Sequence, residues 1–153
     1  MGLDMYLRKK ILVGAEYDHR EVRGKIDITV RGKKLDVDLS RVYEIVETVH
    51  YWRKANQIHN WFVQNVQNGV DDCGTYFVST EDLRALRDLC EKVVKTKDAT
   101  LLPPVSGFFF GSTEVDDGYY EDLKDTIKAL GRLNLDDPGN IVDSPTYAYN
   151  ASW

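Results

Sequence analysis

The sequence predicts an α+β fold in which an antiparallel sheet packs against about four helices. Three observations carry that expectation. Short segments alternate apolar with polar residues, the pattern of strands with one buried face. Longer segments place apolar residues at i, i+3, i+4 and i+7, one stripe of a helix. Apolar residues form 42% and charged residues 29% of the 153-residue chain, a balance that suits one folded domain over residues 1–153 and not a disordered segment.

The first strand is expected over residues 4–13, with Met5, Leu7 and Val13 among its apolar positions. A polar stretch, 14–24, reads as a loop. A hairpin follows. Ile26, Ile28 and Val30 alternate along Lys25–Arg31, and Leu35, Val37 and Leu39 along Lys34–Leu39, with Gly32-Lys33 as the turn. Ser40 stands where a helix N-cap belongs, and Val42, Ile45, Val46 and Val49 hold helical spacing behind it. Tyr51-Trp52-Arg53 reads as a bend into a second helix, about 54–68, with Ile58, Trp61, Phe62 and Val66 as its stripe and Gly69 closing it.

Thr75–Val78 is a short strand. Ser79 and Asp82 form a capping box for a third helix whose buried face holds Leu83, Leu86, Cys90 and Val93 or Val94. Residues 97–112 make a long connection with Pro103-Pro104 and a Gly-Phe-Phe-Phe-Gly stretch at 107–111; loops this long often face ligands. A fourth helix runs from about Asp117 to Asn134, with Tyr120, Leu123, Ile127, Leu130 and Leu133 in register. Residues 135–145 are rich in turn formers, and Thr146–Trp153 returns as an edge strand.

Charge is uneven. Residues 1–54 carry 12 basic and 9 acidic side chains, residues 55–113 carry 5 and 7, and residues 114–153 carry 3 and 9. The acidic last third argues against nucleic acid as a partner. No apolar run reaches the roughly 18–20 residues that span a bilayer, and the first residues are too charged for a secretory signal. The expected location is therefore the cytoplasm, with no membrane partner. Cys90 reads as a buried thiol, and Cys73 falls in a loop without an activating neighbour.

Two stretches hold candidate ligand groups. In the first, Trp52 offers a face for stacking a base, Arg53 a fork for phosphate, and Asn56, His59 and Asn60 polar groups to read an edge. Arg53, Asn56 and Asn60 share a face if all three are helical. In the second, glycines flank three phenylalanines that include Phe109, and Ser112 or Thr113 precedes a helix whose free N–H groups can receive an anion. Both stretches have a plainer reading as core and cap. The spacing is not that of a P-loop, and Glu114, Asp116 and Asp117 would repel phosphate.

Asp117 and Glu121, four apart, could share a hard cation. His50 and His59 could meet Asp71 or Asp72 in space. Neither group has a recognised metal-ligand spacing, so no metal site, cofactor or catalytic residue is assigned.

Gly2–Leu7, Tyr51–Phe62, Gly107–Glu114 and the closing Ser152-Trp153 resemble a family of small uncharacterised proteins of tailed bacteriophages and prophages. The resemblance covers nearly the whole chain. It implies a phage protein acting in the bacterial cytoplasm and brings no established activity with it. The functional expectation is an accessory protein outside the virion that binds a host component, a nucleotide-type ligand or a host protein, as a counter-defence factor. The alternatives are a small metal-dependent phosphoesterase using Asp117, Glu121 or the histidines, and an acidic mimic of nucleic acid. A homodimer paired through the hairpin and the terminal strand is a further expectation.

Overall fold

A computed structural model describes residues 2–13, 27–38, 41–136 and 145–153. Its centre is a four-stranded antiparallel sheet. The strands are β1 (Asp4–Leu12), β4 (Glu44–Arg53), β5 (Thr75–Val78) and β6 (Thr146–Ser152), in the order β4-β1-β6-β5. Two short strands, β2 (Thr29–Val30) and β3 (Lys33–Lys34), pair only with each other. The helices are α1 (Asn56–Asn65), α2 (Thr80–Thr96) and α3 (Asp117–Gly131), with a 3₁₀ turn at Ala99–Leu101.

Alternation along β1 sets the layers. Leu3, Met5 and Leu7 are fully buried, while Asp4, Tyr6 and Arg8 point the other way. The buried side meets Trp52 of β4, Tyr147, Tyr149 and Ala151 of β6, and Val78 of β5. All three helices lie on this side. Phe62 of α1 stacks on Tyr149 with ring centroids 3.8 Å apart. On α3, Thr126 accepts a hydrogen bond from the Trp52 ring N–H at 2.8 Å, and α2 packs against α3. The capping box at Ser79 and Asp82 is present, with both bonds made, and Leu83, Leu86, Cys90 and Val93 are the buried residues of α2. Burial pushes the Cys90 thiol up to about 12, so it is an inert core group, and Cys73 is exposed.

The fold departs from the sequence reading in five places. The segment expected to be a helix after Ser40 is β4, so there are three α-helices among the described residues, not about four. Ile45, Val46, Thr48 and Val49 are β-branched and suit a pleated surface. Their helical spacing is overridden by pairing with β1, where Ile11 faces Ile45 and Leu7 faces His50. The hairpin turns one residue earlier, at Arg31-Gly32, both with positive φ (52° and 75°), as a two-residue hairpin loop requires. It forms its own exposed sheet and does not join the main one; the parts expected at 25–26 and 39–40 lie outside the described residues. β6 is an interior strand, bonded to β1 and β5 on its two sides, so it offers no free edge for a dimer. Helix α1 starts at Asn56 and ends at Asn65, shorter than the expected 54–68. Among the described residues, no helix is long and apolar enough to cross a membrane.

Candidate functional site

The chain changes direction sharply where β4 gives way to α1. Trp52 and Arg53 are the last strand residues and point to opposite faces. Lys54 then takes a positive φ of 60°, and fully buried Ala55 leads into α1. This turn separates the residues that helical spacing had grouped. Arg53 is not on a helix and does not share a face with Asn56 and Asn60.

Trp52 is 3% exposed. Its ring lies edge-on to Phe62 and His50, and its N–H is taken by Thr126, so its faces belong to the core and not to a ligand. Asn56 is buried and its amide is fully engaged. The NH₂ group donates to the carbonyls of Phe110 (3.0 Å) and Ser112 (2.8 Å), and the oxygen accepts from the N–H of Val105 at 2.9 Å. One side chain thus clamps both ends of the 105–112 loop. Asn60, one residue beyond His59, is half-buried.

That loop is a tight knuckle. Phe110 N–H donates to Gly107 C=O at 3.1 Å, and Phe109 C=O accepts from Leu3 N–H at 3.0 Å. A side chain at Gly107 would meet the Phe110 ring at 2.6 Å, and Gly111 has φ 86°, so the bend needs both glycines. Phe109 and Phe110 are half-buried. Phe108, at the tip, is 95% exposed and lies edge-on to Phe109 at 4.8 Å. Beside the knuckle, the Lys54 stem runs close to Gly2 and Gly111, and the Arg53 guanidinium sits near Gly2. Arg53 pairs with Asp4 at 3.0 Å, and the Tyr51 hydroxyl donates to the same carboxylate. Thr113 is exposed but does not cap a helix: the N-cap of α3 is Asp116, whose carboxylate accepts from Tyr119 N–H at 3.1 Å.

His59 is 1% exposed and bridges two elements. Its Nδ1 lies 2.8 Å from the Tyr149 hydroxyl, and its Nε2 lies 3.1 Å from each carboxylate oxygen of Asp71. An ionised carboxylate only accepts, so a neutral ring carries its proton on Nε2 and accepts the tyrosine hydroxyl at Nδ1. The order hydroxyl, imidazole, carboxylate is that of an activated nucleophile. Here Tyr149 is fully buried, and burial holds its hydroxyl well above its ordinary value. No substrate reaches that oxygen. The trio ties α1 to β6 and to the loop before β5. His59 meets Asp71 as the sequence suggested, but His50 does not join them; it lies beside Trp52, with Asp125 and Arg132 the charges that act on it.

The acidic residues of α3 do not assemble a cation site. Glu121 holds Lys124 at 2.8 Å, and Asp122 accepts from Gln57 at 3.1 Å. Burial raises the Asp122 carboxyl, and nearby Asp125 and Asp116 raise it further, against the Gln57 hydrogen bond. Among the described residues, no group of three or more His, Cys, Asp or Glu is placed to hold a metal ion.

Gly2–Leu7, Tyr51–Phe62, Gly107–Glu114 and Ser152-Trp153 converge at this end of the sheet. Leu3 bonds the phenylalanine loop, Asn56 clamps it, and Trp153 lies 5.6 Å from the His59 ring and 6.1 Å from that of Phe110. No family model, curated protein or solved structure matches this chain. Sequence reasoning passed over Phe108 and Lys54 as members of the site. The exposed tip had a signal in its flanking glycines, but which of three phenylalanines faces water is decided by the Asn56 and Leu3 hydrogen bonds.

Proposed function

We propose that this is a non-catalytic binding protein that captures a nucleotide-type ligand of a bacterial host at the phenylalanine knuckle. The observation that supports it is Phe108: an aromatic ring almost wholly in water, on a loop whose backbone is fixed by Asn56 and Leu3, with the Lys54 stem against Gly111 of the same loop and Arg53 near Gly2. Holding a large apolar ring in water gains nothing for the fold. An exposed ring on a fixed loop is suited to stacking a base, and cations on the same end of the sheet to meeting its phosphate. In this reading Phe108 takes the stacking role that the sequence gave to Trp52. Arg53 keeps its phosphate role, Lys54 joins it, and Asn56 and His59 support the loop from behind. In this reading the event belongs to a phage-infected cell, where removing a nucleotide signal would serve counter-defence.

Equilibrium dialysis of the full chain against a panel of mono-, di- and cyclic nucleotides tests this. Retention of one of them, weakened about tenfold or more by Phe108→Ala and also by Arg53→Ala, is expected. Both variants should melt with the parent. Retention by none, or retention indifferent to both substitutions, would defeat the reading.

A further inference from the structure

The side of the sheet away from the helices presents a second ordered array. The register places residues of one face side by side across all four strands. One row reads Thr75–Asn150–Tyr6–Tyr51, and the next reads Phe77–Ala148–Arg8–Thr48. Rows two residues apart along a strand are separated by about 6.6–6.8 Å. Phe77 is 67% and Tyr51 43% exposed. The Tyr6 and Tyr51 rings lie 5.3 Å apart, and the Arg8 guanidinium sits 4.9 Å over Tyr6 while donating to Asn150. Each helix is tied to the opposite side, through Tyr149, Trp52 or a neighbouring helix.

We propose that this open face binds single-stranded nucleic acid. Flat groups recur across it: the rings of Tyr51, Tyr6 and Phe77, with the Arg8 guanidinium between them. Unpaired bases stack on aromatic rings and on guanidinium planes alike. The remaining positions are mostly hydroxyl and amide groups, which can hydrogen-bond base edges. The centre of this face is Asn150, Tyr6 and Arg8 around the small, buried Ala148. The local charge also fits. Arg8, Lys10 and Arg53 stand on this side against Asp4 and Glu44, while the acidic helix α3 lies on the other. The chain's net charge of −5 therefore misrepresents the surface a polyanion would meet. The proposal shares only Arg53 with the knuckle and rests on none of Phe108, Lys54 and Asn56.

Fluorescence anisotropy with labelled 12-nucleotide single strands of DNA and RNA, and with the matching duplexes, tests it on the full chain. Single strands should bind more tightly than duplex, with affinity falling as salt rises. Tyr51→Ala and Phe77→Ala should each weaken binding about tenfold, and Arg8→Lys should weaken it while keeping the charge. Phe108→Ala should leave it unchanged, which separates this surface from the nucleotide site. Far-ultraviolet circular dichroism and melting confirm that the variants fold. No binding of single strands, equal binding of duplex, or indifference to Tyr51→Ala and Phe77→Ala would each overturn the proposal. Protection of Tyr51 and Phe77 by a protein, without oligonucleotide binding, would overturn it in favour of a protein interface.

Discussion

On the covered face of the sheet, Trp52, Tyr149 and His59 have every polar atom engaged inside the fold: the indole on Thr126, the hydroxyl on His59, the imidazole on Asp71. On the open face, Tyr51, Tyr6 and Arg8 are linked to each other's neighbours but remain in contact with water. The same residue types thus have two uses, separated by one step of backbone pleat: Tyr51 and Trp52 are adjacent, yet one is 43% and the other 3% exposed. A buried polar group costs stability unless it is bonded, so the covered aromatics are committed to the fold. An exposed group carries no such obligation and is available for a ligand.

Five substitutions can break or sharpen this contrast. Trp52→Ala should have the largest effect, a loss of about 3–5 kcal/mol in chemical denaturation. A loss near zero would mean that Trp52 is not part of the core. Asn56→Ala should cost about 1–3 kcal/mol, since it leaves the Val105 N–H and two carbonyls without their partner. Amide exchange should quicken across residues 105–112 first, and uniform exchange throughout the chain would contradict a local clamp.

His50→Gln should act through pH. Burial lowers the folded pKa of His50 below its ordinary 6.5, opposed by Asp125 and helped by Arg132. Below pH 6.5 the unfolded chain therefore binds that proton more readily, and His50 destabilises the fold as pH falls through the window between the two values. Melting temperatures taken from pH 7.5 to pH 5 should fall less steeply in the variant than in the parent. Identical slopes would show that His50 is equally solvated in both states. The smallest effects belong to the open face: Tyr51→Ala and Phe77→Ala should each change stability by no more than about 1 kcal/mol. A larger loss would show that this face supports the fold.

Local rules made much of the fold legible. The capping box at Ser79 and Asp82 and the stripe from Leu83 to Val93 need only neighbours along one helix, and both appear as read. The first strand was equally plain from Met5 and Leu7. Strand β4 was not, because Val42, Ile45, Val46 and Val49 satisfy a helical period by spacing and a strand by branching, and only pairing with β1 decides between them. The site was partly legible for a related reason. Asn56 holds the loop that carries Phe109, but the turn at Lys54 sends Arg53 outward and Asn56 inward. A helical wheel drawn through residue 53 cannot show that.

The sequence by itself determined the mixed α and β character, a first strand beginning at Asp4, the helix capped at Ser79 and the burial of Cys90. Each follows from periodicity or capping over a few residues. The tertiary structure decided that β6 is interior, that β4 is a strand, that Asn56 clamps the knuckle, and that Phe108 alone of its three phenylalanines stands in water. Those outcomes depend on partners up to about 140 positions away, as Arg8 and Asn150 show. Contacts at that range follow from how the elements pack, which no local pattern encodes.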